Sequence, residues 1–195
     1  MGIKRFYADK DNTITNAYKS NLIDSGSQAN MGASDILEVF SIYGQANSES
    51  LEQSRILISF PIAEISASRN RKDIPALGDV KFYLKMFNAK HSQTLPEKYY
   101  LHILPINTQH WPESVDPQQN EGWTEGYGLD MEGYTNSGSS NWENARTDQQ
   151  WNALGASGDL DYHRLDSSGI VLTASAYFEK GNEDLMLTGD IYDRL

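Results

Sequence analysis

From Asp79 to Phe87 the chain alternates without a break: Val80, Phe82, Leu84 and Met86 fall on one side of an extended backbone, Lys81, Tyr83 and Lys85 on the other. That is the period of a half-buried strand, and it is incompatible with an amphipathic helix, whose apolar positions recur every three or four residues. A second run, residues 55–62, puts Ile56, Ile58, Phe60 and Ile62 on one face. Leu57 on the opposite face implies burial on both sides at one end, and Pro61 implies a strand end or a sheet edge. Residues 36–43, 99–106, 169–178 and 184–192 are further short apolar stretches bounded by Gly, Asn, Asp, Ser or Pro. Helical signal is confined to a turn or two at residues 49–53 and 61–68. Six or more short strands without crossover helices predict an all-β class, an antiparallel jelly-roll β-sandwich, and disfavour a βαβ enzyme fold.

Two polar segments interrupt the strands. Residues 20–34 are rich in Asn, Gly, Ser and Ala, and residues 107–161 contain Trp111, Trp123, Trp142 and Trp151 with many glycines and little periodicity. A disordered linker is poor in large aromatics, so the second segment is expected to be an ordered, functional loop excursion within a single domain spanning residues 1–195.

Charge narrows the function classes. Residues 1–105 carry 12 Lys/Arg against 11 Asp/Glu, and residues 106–195 carry 4 against 16, for a total of −11. A phosphate backbone would be repelled by the second half, so no nucleic-acid partner is expected. Without cysteine there is no disulfide, thiolate metal site or thiol nucleophile. The apolar runs are too short to span a bilayer, and the N-terminus lacks the apolar stretch of a secretory signal, so neither a membrane partner nor secretion is expected.

Chemistry-bearing constellations are sparse. The four histidines, His91, His102, His110 and His163, lack the spacing of a metal-binding helix pair, and no Gly-rich phosphate loop or nucleophile elbow is present. Glu121, Glu125, Asp130 and Glu132, set among tryptophans, are the types from which a glycosidase draws its two carboxyls. Equally, Glu125 can cap the tight turn of Gly126 and Gly128 through local amides. Trp111, Trp123, Tyr127 and Tyr134 are candidate platforms for the C–H faces of sugars, and loop packing is the other use of such rings. Trp142 and Trp151 are expected to pack, and Tyr127 and Tyr134 to be exposed. Asp9, Asp11 and Asn12 offer oxygen ligands for calcium, as do Asp159, Asp161 and Asp166, against the plainer reading of solvated surface charge. No cofactor is required by any motif.

Taken in order, residues 8–14, Asn30-Met31-Gly32, residues 36–40, Arg55 to Phe60, residues 80–84, Trp123 to Gly128, Ser140-Asn141-Trp142, and Trp151 with Gly155, Gly158 and Asp159 resemble a DNRLRE-type β-sandwich domain. The resemblance covers nearly the whole chain. It implies a jelly-roll sandwich related to carbohydrate-binding modules. Similar sequences without a signal peptide look like structural proteins of tailed bacteriophages. Residues 183–195 are similar to a late strand of that family, after which its members continue, so the sandwich is expected to lack its last strands here. The expectation is therefore a noncatalytic virion structural protein: a capsid decoration, neck, tail or fibre component contacting other virion proteins and copies of itself. The alternative is a carbohydrate-binding module or adhesin for surface polysaccharide, such as host glycan; a third reading is a glycan-cleaving enzyme.

Overall fold

The computed structural model describes residues 2–75, 80–87, 89, 98–107, 122–134, 139–163, 174–179 and 184–188. The chain divides into two compact units: Met1–Ala63 with Asn107–Tyr162 (unit 1), and Glu64–Ile106 with His163–Leu195 (unit 2). Among the described residues there are nine strands and one short helix, so the class is all-β.

Unit 1 is built on a three-stranded antiparallel sheet of β1 (Lys10–Thr15), β3 (Leu51–Ser59) and β2 (Ser41–Tyr43), with β3 in the centre. The β1–β3 register pairs Lys10 with Ser59 and Thr15 with Ser54. Periodicity does not reveal β1, because the side chains it buries are Asn12, Thr13, Ile14 and Thr15, of which only Ile14 is apolar. Residues 36–40 do not join β2 as their apolar content suggests. Beyond one backbone bond, Ser54 N–H to the Phe40 carbonyl (3.1 Å), their backbone is held by side chains: Glu38 N–H donates to Thr13 Oγ1 (3.0 Å), Phe40 N–H donates to Ser54 Oγ (2.8 Å), and Ser54 Oγ donates to the Glu38 carbonyl (2.8 Å). Residues 51–53, read as a helical turn, begin β3. Pro61 does mark the strand end: β3 stops at Ser59. Leu57 is buried as expected, but the isoleucine face is only half-buried, and Glu52 and Ser54 lie inside instead.

Short β6 (Asn144–Arg146) and β7 (Gln149–Gln150) form a second antiparallel pair in unit 1. The long excursion predicted over 107–161 closes on itself, Asn107 N–H donating to the Asp161 carbonyl at 2.9 Å. Its described residues are packed: Trp123, Trp142 and Trp151 are buried.

Unit 2 follows the alternation closely. Helix α1 (Ile62–Asn70) leads into it and buries Ile65 and Ser68. The helix ends in a Schellman motif: Asp73 N–H reaches the Ser68 carbonyl and Lys72 N–H the Arg69 carbonyl, both at 2.9 Å, with Lys72 in the left-handed region at φ 62°. Strand β4 (Tyr83–Phe87) pairs with β9 (Asp184–Thr188), and β5 (Lys98–Ile103) with β8 (Ala174–Glu179), all antiparallel. Phe82, Leu84 and Met86 are half-buried and Lys81, Tyr83 and Lys85 exposed; Tyr99, Leu101 and Ile103 repeat the pattern on β5. Residues 169–173 and 189–192, read as parts of strands, lie outside the described residues.

The units divide the charge completely. Unit 1 holds 6 Lys/Arg and 17 Asp/Glu, unit 2 holds 10 of each, so the whole of the −11 belongs to unit 1. The simple cut of the sequence into halves only approximates this.

Candidate functional site

A strand sends alternate side chains to opposite faces, so β1 turns Asn12 inward from its neighbour Asp11. The buried Asn12 carboxamide donates to the Ser140 carbonyl (2.9 Å) and Ser140 Oγ (2.7 Å), and its oxygen accepts from Met31 N–H (3.0 Å). Asn30, also fully buried, donates to the same Ser140 carbonyl (2.9 Å) and accepts from Gly32 N–H and Gly128 N–H, both at 3.1 Å. Two carboxamides thus join three segments of the chain, and all but one of these bonds, that to Ser140 Oγ, pair a backbone group. The segments approach so closely that a Cβ at Gly126 would collide with the Asn30 carboxamide, and one at Gly128 with the Asn30 carbonyl. Asn30, rather than Glu125, therefore organises the Gly126–Gly128 turn.

A second knot ties the end of the excursion. Asp161, buried, accepts from Asn152 N–H (2.6 Å), Ala153 N–H (3.0 Å) and Gly158 N–H (2.7 Å). Arg55 reaches out of β3 to donate to the Gly155 carbonyl and to lie 5.4 Å from the centroid of the Trp142 ring. Burial pulls the Arg55 guanidinium below its ordinary pKa, against the opposing pull of Tyr162 and Asp161. Trp151 Nε1 donates to the Asn141 carbonyl at 2.8 Å, so this indole is anchored at its polar end.

The candidate carboxylates are dispersed. Glu125 accepts from Asp11 N–H on β1 (2.8 Å), Glu132 from Ser20 N–H (2.6 Å), and Asp130 from the amides of Glu132 and Gly133 (2.8 and 3.0 Å). Each holds backbone in place. Glu121 lies outside the described residues, as do Trp111, His91, His110 and Asp166. Of the candidate sugar platforms, Trp123 is buried, with Lys10 Nζ 5.9 Å from its ring centroid, and presents no open face. Tyr127 is 86% exposed and Tyr134 39%. Of the calcium candidates, Asp9 precedes β1, and the adjacent Asp11 and Asn12 point to opposite faces of the strand, the Asn12 oxygen already accepting from Met31. Asp161 is likewise turned onto amides. Among the described residues no group of three His, Asp or Glu is placed to hold a metal ion, and no helix is long and apolar enough to cross a membrane. Burial raises the Asp11 pKa above its ordinary 3.8.

Unit 1 also contains a cleft of about 450 Å³. It is lined by the chain just after β1, Asn16 and Tyr18, and by the β2–β3 loop with the first residue of β3, Asn47, Glu49, Ser50 and Leu51. Ser25, Ser27, Trp142, Glu143 and Leu154 complete the lining, Ser27 Oγ donating to Glu143 (2.6 Å) and Trp142 N–H to the Ser27 carbonyl (3.0 Å). Sequence reasoning missed this site, because its residues come from five separate stretches and carry no spacing in common.

Comparison with family models, with curated proteins and with solved structures finds no match to this chain. What the fold and site define is an all-β protein whose acidic unit is knit by buried carboxamides and carboxylates and bears a polar cleft.

Proposed function

We propose that this chain is a noncatalytic structural protein of a tailed-bacteriophage virion, acting through contacts with other virion proteins and with copies of itself. The observation that carries the reading is the separation of charge: all of the −11 in one unit and none in the other. A component polarised in this way docks in one orientation, acidic unit towards a basic neighbour, which is what a repeated assembly needs. The likeness to DNRLRE-type domains points the same way. So does the nesting of strand pairs in unit 2, β4 with β9 around β5 with β8, the order in which a jelly-roll chain folds back on itself. The carboxylates Glu125, Asp130 and Glu132 hold backbone amides, a use that suits a scaffold better than a catalytic pair. Mixing the purified protein with phage particles that lack it, followed by sedimentation and electron microscopy, is the test. Binding to one class of site on the particle is expected; a dispersed monomer with no affinity for particles overturns the reading.

A second reading, recognition of surface glycan, is favoured by one feature, the polar cleft of unit 1. The two are compatible, since a virion protein can also grip a host polysaccharide. It is tested by the shift of tryptophan fluorescence on adding polysaccharide, with Trp142 as the cleft's own reporter.

A further inference from the structure

We infer that the unit 1 cleft is the site that takes the glycan, and that its ligand is a neutral, hydroxyl-rich saccharide rather than an acidic one; the inference rests on the glycan-binding reading above. Its walls are fixed before any ligand arrives. Asn16 is stapled to β3, its oxygen accepting from Gln53 N–H (2.6 Å) and its amide donating to the Leu51 carbonyl (3.1 Å). The β2–β3 loop is closed by Gly44 N–H on the Ser50 carbonyl (2.8 Å) and by Ser50 Oγ on the Asn47 carbonyl (3.0 Å). On the far side Glu143 is held by Ser27 Oγ (2.6 Å) and Gln28 Nε2 (3.0 Å). A site that is already ordered loses little entropy on binding.

The groups left over define the ligand. Asn47 uses its oxygen on Glu49 N–H (2.9 Å), which leaves its NH₂ as a donor into the cleft. The Glu49 carboxylate has no partner among the described residues, and each Glu143 oxygen retains a second lone pair. The Tyr18 hydroxyl both donates and accepts. The lining thus offers both donors and acceptors, which sugar hydroxyls satisfy by accepting from an amide and donating to a carboxylate. Leu51 and Leu154, both largely exposed, supply apolar surface for the C–H face of a sugar ring. Among the described residues two carboxylates line the cleft and no Lys, Arg or His does, so uronates and sialylated chains are repelled. The size, about 450 Å³, lies in the range of small-ligand sites.

The test is a polysaccharide array probed with the full chain at moderate salt: neutral glucans, mannans and galactans, polyuronate and sialylated glycans, and chitosan with polylysine as cationic controls. Binding to a neutral polymer and to none of the acidic ones is expected. Glu49→Gln should weaken it about tenfold, the loss of one charge-assisted hydrogen bond. Asn47→Ala should weaken it similarly, and Tyr127→Ala should leave it unchanged. Glu49 is exposed and its side chain holds nothing else, so Glu49→Gln folds as the parent does, which its melting temperature checks. If a neutral glycan binds and both cleft variants bind it like the parent, the cleft inference falls while glycan recognition stands. If no polysaccharide binds, both fall. If only chitosan and polylysine bind, and salt removes the binding, the cleft is a charge trap and the inference is overturned.

Discussion

Unit 1 and unit 2 are both β-structures, yet they are held together differently. In unit 2 the pattern of the side chains and the pattern of the backbone agree: alternate residues of β4 and β5 turn inward, and the strands pair in unbroken antiparallel register with β9 and β8. In unit 1 much of the order comes from side chains bonding to backbone across long stretches of sequence, with Asn12, Asn30 and Asp161 at the crossings. The first kind of structure tolerates change at most exposed positions. The second concentrates its stability in a few buried polar groups, since a buried amide that loses its partner keeps the full cost of desolvation. The difference bears on function: the segments that these crossings fix are continuous with the walls of the cleft.

The largest effect expected is at Asn30. Asn30→Ala strands two glycine amides and half of the Ser140 carbonyl's bonding, at a cost of about 3–5 kcal/mol read from denaturant unfolding, whereas Lys85→Ala on the exposed face of β4 should change stability by less than about 0.5 kcal/mol. Equal effects at the two positions would erase the contrast between the units. Gly128→Ala is next: the added methyl meets the Asn30 carbonyl, so the turn must shift, and a loss of about 2–4 kcal/mol in denaturant unfolding is expected. Asp161→Asn keeps the shape but replaces one acceptor with a donor facing an amide, which should cost about 2–3 kcal/mol. In unit 2, Lys72→Gly should stabilise by about 0.5–1 kcal/mol, because the left-handed cap at φ 62° suits glycine.

Asp11 sharpens the comparison through pH. Burial raises its folded pKa above the ordinary 3.8, so the folded state holds its proton more tightly than the unfolded chain. Its contribution is therefore fully present below pH 3.8 and is lost as pH rises through the raised folded value. Asp11→Asn should remove that loss, making the variant more stable than the parent at neutral pH relative to acid, as melting curves across pH would record.

The all-β class and the strands of unit 2 were legible in the sequence, because Val80 to Met86 alternate in hydrophobicity and burial follows hydrophobicity there. The excursion expected over 107–161, from its aromatics and its lack of period, spans nearly the same residues as the Asn107–Tyr162 segment of unit 1. Burial of Trp142 and Trp151 and exposure of Tyr127 followed from the same reasoning. What was not legible is the polar interior. Strand β1 shows no hydrophobic alternation because Asn12 and Thr13, buried on its two faces, are both polar, and Asp9, Asp11 and Asn12 read as a ligand set because no periodicity separates those faces. Asn30 stood out only as part of an Asn-x-Gly turn, with nothing local to show that its partners lie at Gly128 and Ser140. Such contacts link residues some hundred positions apart, and hydrophobic patterning carries no information about them.

Native-state hydrogen exchange tests the central claim, that the irregular segments of unit 1 are part of one cooperative structure. The amides of Met31, Gly32, Gly128, Asn152 and Gly158, all bonded to side chains, are predicted to exchange as slowly as those of the β1–β3 ladder and to lose protection together in Asn30→Ala. Fast exchange of these amides in the parent, at rates of open loops while the ladder stays protected, would contradict it.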